Sequence, residues 1–323
     1  MARDVVLYDI RAADERLFVF LPLNLSIRVA CCPTRGRAME DRSEKLRSFY
    51  AELICAAAKL GDPRIEQAFR TVKREPFAGP GPWLITLGGH AYVKTADDDP
   101  AFLYQNVLLA LDSERGINIG MPSAHAYWLG ACEINEGETV LQIGAGSGYY
   151  TAILAHLVGA GGRVHAYEID EGLAARARDN LKDLPHVDVR TQSGVGSELP
   201  KADLIYVCAG AAQPARSWLD ALRPGGRLLF PLAPEWVLGG MLLVRRPDRG
   251  AVWPAKFAGR AQFVGCVGLQ DEEAGRRLKD AFAKDWENVR SLHLESAPDQ
   301  TCWYAGDGWW LSTAEAGRKT TPS

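Results

Sequence analysis

Gly144-Ala145-Gly146-Ser147-Gly148 joins a short apolar run, Thr139–Ile143, to a helical stretch that begins at Tyr149. Glycines let the backbone turn tightly and approach a ligand without Cβ clashes. The helix N-terminus adds unpaired N–H groups and a partial positive charge, so a carboxylate or phosphate is stable there. Spacing narrows the ligand: the loop is G-x-G-x-G, whereas the dinucleotide fingerprint places its third glycine one residue later. The next apolar run, Arg163–Tyr167, leads into Glu168, which is placed to accept hydrogen bonds from both ribose hydroxyls. NAD enzymes share such an acid, so Glu168 points to a nucleoside without saying which one. A third feature is Leu222-Arg223-Pro224-Gly225-Gly226 ahead of another apolar run, a turn frequent in class I methyltransferases. A loop that binds nothing requires neither Glu168 nor this strand order. The three features together move the odds toward S-adenosylmethionine, and the loop spacing disfavours an NAD-dependent oxidoreductase.

These groups need a scaffold that brings strand ends together. From Thr139 onward, short apolar strands alternate with helices: Thr139–Ile143, Arg163–Tyr167, Val187–Arg190, Leu204–Cys208 and Arg227–Phe230 as strands, with helices over Tyr149–Val158, Gly172–Leu184 and Ala215–Leu222. That alternation predicts βαβ units: an α/β, Rossmann-like, mainly parallel doubly wound sheet. Met241–Arg245 and Ala261–Val267 are expected to add antiparallel edge strands. Upstream, apolar spacing predicts two helical pieces over residues 40–77, broken at Gly61-Asp62-Pro63. Gly79–Pro100 reads as an irregular connection, and Ser123–Cys132 as a helix. Downstream, Asp271–Trp286 reads as a charged helix. Two aromatic runs, Cys302-Trp303-Tyr304 and Trp309-Trp310-Leu311, flank a turn and predict a hairpin. The expected organisation is an uncertain appendage over 1–38, helices and the substrate side over 39–135, a cofactor domain over 136–268, and a C-terminal extension over 269–323.

Composition excludes several classes. Of 323 residues, 47% are hydrophobic and 24% charged, as in an ordinary globular protein. The formal net charge of -3 leaves no global basic field to recruit nucleic acid. The seven cysteines have no C-x-x-C spacing, which argues against a zinc site and a disulfide framework and suits a reducing cytoplasm. The most apolar stretch, Leu17–Cys32, is interrupted by Pro22, Asn24, Ser26 and Arg28, so neither a membrane span nor a signal peptide is expected.

Val140–Leu154, VLQIGAGSGYYTAIL, resembles the protein-L-isoaspartate O-methyltransferase family, whose motif runs much like VLEIGTGSGYxTAxLA. Phe69–Phe77, FRTVKREPF, is similar to that family's AFxxVpREpF. Ile117–Leu129, INIGMPSAHAYWL, is similar to its TISxPxMHAxxL, with Pro122, His125 and Ala126 matching. Leu243–Arg246 and Phe263-Val264 are similar to its closing strands. The resemblance spans roughly residues 42–268. It implies methyl transfer from S-adenosylmethionine to the α-carboxylate of L-isoaspartyl residues in proteins. The implied cofactor set is Gln142, Gly144, Ala145, Gly146, Ser147, Gly148, Glu168, Ile169, Ser193, Gly194 and Cys208, with no metal. A carboxylate is ionised at neutral pH and needs no base to activate it, so the lack of a His–Asp dyad is expected.

Departures from the family pattern fall on the acceptor side, where the candidates are Asn118, Gly120, Met121, His125 and Gln262. The family's Thr-Ile-Ser becomes Asn118-Ile119-Gly120, so the serine hydroxyl is gone. Its Arg before Phe-Val-Pro-Leu becomes Gln262. The acid of the first motif is Gln142, and Ser193-Gly194 stands near the family's Gly-Asp-Gly. The expected function is therefore methyl transfer to a carboxylate of a protein, peptide or small molecule, with no nucleic-acid or membrane partner and the oligomeric state open. The alternatives are a cofactor-binding module without repair activity and a biosynthetic methyltransferase with another acceptor. Trp303, Tyr304, Trp309 and Trp310 are expected to pack against the main domain, with a lid or a partner surface as the competing reading.

Overall fold

The computed structural model describes residues 35–86, 91–196, 198–233 and 238–317; Leu17–Cys32 and most of the 1–38 segment lie outside the described residues. Three helices come first: α1 (Arg35–Ala57), α2 (Pro63–Thr71) and α3 (Glu75–Ala78). Two pieces were expected; a second break at Val72–Arg74 makes three. Asp62 caps α2 by accepting the Arg64 N–H at 2.9 Å, and Pro63 occupies the first helical position, where no N–H is needed. Tyr50, Ile54, Ile65 and Phe69 are buried where α1 and α2 meet.

Gly79–Pro100 is not wholly irregular. It contributes β1 (Leu84–Thr86) and β2 (Val93–Lys94), which join β3 (Leu108–Asp112) and β4 (Ile117–Ile119) in an antiparallel sheet of order β2-β1-β3-β4. Strands of two or three residues are too short to display a period of two. Helix α4 (Pro122–Cys132) follows as expected.

The second half is the anticipated α/β unit: β5 (Thr139–Ile143), α5 (Tyr149–Val158), β6 (Arg163–Glu168), α6 (Glu171–Leu181), β7 (Val187–Thr191), β8 (Ala202–Val207), α7 (Arg216–Ala221) and β9 (Leu222–Leu232). Strands β7, β6, β5, β8 and β9 pair in parallel in that order. The chain leaves β5 toward β6 and β7, then returns to β8 on the other side. The switch point between β5 and β8 is where open α/β sheets bind ligands.

Beyond β9, β10 (Gly239–Arg245) and β11 (Val252–Ala261) continue as an antiparallel meander. The edge strand expected at Ala261–Val267 is thus misplaced. Polar and glycine positions inside β11, namely Lys256, Gly259 and Arg260, hide its alternation. The apolar run after it instead crosses the sheet top, where Val264 O accepts the Gly210 N–H at 2.8 Å and Gly210 O accepts the Cys266 N–H at 2.7 Å.

Helix α8 (Glu272–Phe282) stops one turn short of Trp286, which sits in a 3-10 turn. Strands β12 (Ser291–Leu294), β13 (Cys302–Gly306) and β14 (Trp309–Ser312) extend the sheet to ten, in the order β13-β14-β12-β11-β10-β9-β8-β5-β6-β7. The expected hairpin is present, with Gly308 at φ 72° in its turn. Its aromatics pack inward: Trp303 lies 5.2 Å from Phe282 and 5.4 Å from Phe257, and Trp309 and Trp310 are buried. The packing reading holds, because these rings are the core that secures the extension to the sheet.

Candidate active site

The glycine loop leaves β5 with Gly144, Gly146 and Gly148 at φ 79°, 57° and 95°, a region that favours glycine. Added side chains would also collide: a Cβ on Gly148 would lie 2.8 Å from Leu181 Cδ1. The loop is pinned from beneath, since Gly144 and Ala145 both donate to Tyr167 O, at 2.9 and 3.1 Å. Asn180 donates to Ser147 O at 2.9 Å. The Ser147 hydroxyl is buried and lacks a hydrogen-bond partner among the described residues.

Glu168 ends β6 directly beside the loop. One carboxylate oxygen accepts the Gly146 N–H at 2.7 Å and the other accepts the Asp170 N–H at 3.0 Å. Burial raises its pKa above the ordinary carboxylate value, and the backbone N–H bonds offset only part of that rise. Each oxygen keeps further acceptor capacity. Ile169 follows it, 52% exposed, an apolar side chain facing open space next to the acid. Ser193 Oγ accepts the Val195 N–H at 3.1 Å, and Gly194 approaches Ile143 so closely that a Cβ would lie 2.4 Å from its Cδ1.

Gln142 lies on the floor with both ends of its amide engaged. Its oxygen accepts from the Thr151 hydroxyl at 2.6 Å, and its nitrogen points at Cys208 Sγ at 3.9 Å. It ties the first turn of α5 to the end of β8. Burial pushes the Cys208 thiol up to about 12, which makes it a neutral wall rather than a nucleophile.

Of the acceptor-side candidates, Gly120 and His125 are brought together. Gly120 ends the β4 connection, and its carbonyl accepts from Tyr150 Oη at 2.7 Å. His125, buried on α4, stacks on Tyr150 with centroids 3.6 Å apart and rings 10° from parallel. Its Nδ1 lies 2.9 Å from Tyr206 Oη on β8. Phe263 closes the far side, 6.3 Å from the imidazole. Met121 is the N-cap of α4, and the Asn118 amide donates to Gly116 O at 2.9 Å. Gln262 stands just past β11, beside Phe263.

Sequence reasoning missed the roof. Leu111 of β3 reaches over the loop, its Cδ1 3.3 Å from where a Gly146 Cβ would be. In the β3–β4 turn, Arg115 bonds Asp112 at 2.6 Å and reaches Asp170, the N-cap of α6, at 2.7 Å. No periodicity connects residues 55 positions apart. Tyr206 also escaped notice, because a tyrosine in an apolar strand reads as core.

A buried unpaired hydroxyl, a glycine cradle and a carboxylate with free lone pairs fit the α-amino acid and ribose ends of S-adenosylmethionine. The model of the protein-L-isoaspartate(D-aspartate) O-methyltransferase family matches residues 88–268, more than half of the chain. This chain belongs to that family. A relative from Anaeromyxobacter sp. (strain Fw109-5), named protein-L-isoaspartate O-methyltransferase 2, is 32% identical over 226 residues, covering 68% of this chain and 84% of the relative. Another of that name, from Syntrophobacter fumaroxidans, is 33% identical over 217 residues, covering 65% and 79%. In structure, the chain is similar to a Plasmodium falciparum protein described as a complex with S-adenosyl-L-homocysteine, with a TM-score of 0.53 and 18% identity over 68% of this chain and 97% of that one. That last likeness supports the class I methyltransferase fold. As a protein-L-isoaspartate O-methyltransferase family member, the chain is an S-adenosylmethionine-dependent methyltransferase. Among the described residues no helix is long and apolar enough to cross a membrane.

Proposed function

We propose that this enzyme methylates a carboxylate oxygen of a protein, peptide or small-molecule acceptor, with L-isoaspartyl peptide as the reference acceptor. The observation that carries this reading is the absence of a working base among the described acceptor-side groups. Burial pushes His125 down to about 3, far too weakly basic to take a proton from an alcohol or an ammonium. Burial also holds the Tyr150 and Tyr206 hydroxyls well above their ordinary values, so both stay protonated. An acceptor that is already ionised, as a carboxylate is, needs no such base. S-adenosylmethionine, held by the loop and Glu168, would supply a methyl whose S–CH3 bond breaks as O–CH3 forms, sulfonium and carboxylate charges cancelling with no proton to move. What remains for the protein is alignment and exclusion of water.

On the donor side, S-adenosylmethionine supplies the electrophilic methyl. Glu168 would accept from the ribose hydroxyls, Ile169 would cover one face of the adenine, and Ser147 with the loop N–H groups would receive the methionyl carboxylate. Ser193 and Gly194 would border the adenine, while Gln142 and Cys208 would shape the floor. A cytoplasmic site of action belongs to the same proposal, supported by the five described cysteines, all free.

A methylation assay comparing an isoaspartyl peptide with its aspartyl isomer, followed by alkali treatment of the product, tests the reaction. Alkali-labile methyl is expected, because a carboxyl methyl ester hydrolyses and an ether or a methylamine does not. Alkali-stable product would overturn the carboxylate reading. Gly120 and Gln262, where the family pattern carries a hydroxyl and a guanidinium, favour a second reading: a carboxylate other than the isoaspartyl one. Equal and negligible turnover of both isomers, with methyl ester formed on another carboxylate, would select it.

The Arg115 bridge gives a further expectation. With Leu111 over the loop, the β3–β4 hairpin must part from Asp170 for the cofactor to leave. Arg115→Ala should speed S-adenosylhomocysteine dissociation by about threefold, the small effect of an exposed ion pair. The wild-type rate should rise with salt, as screening weakens the bridge. Stopped-flow measurement at two ionic strengths checks both.

A further inference from the structure

Gly120 and His125 exclude one another's alternatives. A Cβ built on Gly120 would lie 2.3 Å from His125 Nε2 and 2.8 Å from its Cδ2. No side chain fits at 120 while the imidazole stays where it is. The ring is held firmly there: stacked on Tyr150, edge-on to Trp128 at 5.1 Å, and bonded through Nδ1 to Tyr206. The imidazole edge thus occupies the space in which a residue-120 side chain would begin. Gly120 itself is anchored by the Tyr150 hydroxyl on its carbonyl, so the backbone does not yield readily.

The tautomer is coupled to the Tyr206 hydroxyl. It is fully buried, and His125 Nδ1 is its hydrogen-bond partner among the described residues. A buried hydroxyl donor left without an acceptor costs free energy. Tyr206 donating to Nδ1 satisfies that hydroxyl, leaves Nδ1 unprotonated and places the one donor still unpaired, Nε2–H, on the Gly120 side. The neutral imidazole then carries its proton on Nε2. That N–H lies against Gly120 with no acceptor among the described residues.

We propose that His125 is the acceptor-recognition residue of this enzyme, its Nε2–H donating to the non-attacking oxygen of the acceptor carboxylate in place of a side chain at position 120. The inference rests on the carboxylate reading above. Glycine at 120 then leaves room for the imidazole in this position, whereas the family pattern pairs the same histidine with a serine. One oxygen is held by Nε2–H while the other attacks the methyl. Because the donor is neutral and stays so, recognition does not change with pH across the neutral range. Tyr206 is a positioning residue: it fixes which nitrogen bears the proton.

Four variants and one spectrum test this. His125→Ala should lower kcat/KM for the carboxylate acceptor by tenfold or more, with S-adenosylhomocysteine affinity within twofold of wild type. Gly120→Ser should also lower turnover, by pushing the ring aside. The double variant Gly120→Ser/His125→Ala should recover at least several-fold over His125→Ala, because a hydroxyl enters the vacated space. Tyr206→Phe should raise KM for the acceptor and leave both tautomers populated. In wild type, 15N spectra of labelled histidine should show His125 protonated on Nε2 alone. Unchanged kcat/KM in His125→Ala, or a double variant no better than His125→Ala, would overturn the proposal. The tautomer is read without any acceptor, so a proton on Nδ1 overturns it even if the carboxylate reading has failed. Failure of that reading has its own sign: wild-type enzyme that forms no alkali-labile ester.

Discussion

Glu168→Ala is expected to weaken S-adenosylhomocysteine binding by about 1–3 kcal/mol, from loss of charge-assisted hydrogen bonds to the ribose. In the structure each Glu168 oxygen already accepts one backbone N–H, from Gly146 and Asp170, so the carboxylate is oriented before ligand arrives. Pre-orientation means that little ordering cost is left for the binding step. The pH dependence follows from the raised pKa. Ribose hydroxyls donate to the ionised form. As pH falls, Glu168 protonates earlier than an ordinary glutamate, and affinity should decline from above pH 4.5, the usual value. Glu168→Gln should remove that decline. The same raised pKa has an opposite consequence for stability. The folded chain binds this proton more tightly than the unfolded one, so the ionised carboxylate opposes folding at neutral pH. Glu168→Gln should therefore bind cofactor less well, while its melting temperature reflects two opposed terms: relief of the buried charge and loss of one of the two backbone N–H bonds, which an amide nitrogen cannot accept. Calorimetry at several pH values together with thermal melts checks both. Unchanged affinity in Glu168→Ala would show that Glu168 is not the ribose acid.

The places of the donor-side candidates in the fold were readable because each lies in or just after a short apolar run. The loop, Glu168 and Ile169 sit at strand ends that hydrophobic runs mark. A parallel sheet brings successive strand ends to one edge whatever the loops do. Helix α5 was readable to the residue because Gly148 and Gly159 flank it. Strand β11 was not, since its alternation is broken by Gly259 and Arg260 and its burial depends on partners on both sides. The two- and three-residue strands β1 and β2 carry no period at all. The small sheet they enter forms because β3 and β4 supply a template, a tertiary effect that a local window cannot register.

The acceptor half was legible as a list of residues but not as a mechanism. Gly120 read as a missing hydroxyl, and His125 as a histidine more often structural than functional. Their relation depends on the space beside Gly120, where an added Cβ would collide with the imidazole, and no spacing rule contains that. Gln142 similarly read as a cofactor contact. The structure gives its amide to Thr151 and Cys208, so it ties α5 to the end of β8. Arg115 and Leu111 were silent because a roof closes over a loop from a distant part of the chain.

Arg227→Leu should cost about 3–5 kcal/mol of stability, the penalty for removing one partner of a buried ion pair. Arg227 is 4% exposed on β9, and its guanidinium meets five acceptors. It grips both oxygens of Glu138, at 2.9 and 2.8 Å, and the carbonyls of Cys132, Glu133 and Asp203. Two of those carbonyls are at the C-terminal end of α4, where an oriented cation also suits the helix dipole. The side chain thus ties the helix that carries His125 to the sheet that carries the glycine loop. Burial tends to raise the Glu138 pKa, but the Arg227 hydrogen bonds outweigh it and hold the carboxyl below its usual value. That contribution is present above the unfolded value of 4.5 and is lost as pH falls through the lower folded value. Urea denaturation should show the deficit at neutral pH narrowing in acid. Arg227→Leu/Glu138→Leu should regain part of it, because the stranded carboxylate is gone. Arg245→Ala, which breaks the exposed bridge to Glu133, should cost no more than about 1 kcal/mol. Equal losses in Arg227→Leu and Arg245→Ala would mean that burial, not charge number, had been overvalued. The functional readout separates the two halves of the site: in Arg227→Leu acceptor KM should rise more than cofactor Kd, since α4 loosens while β5, β6 and the glycine loop stay bonded to each other.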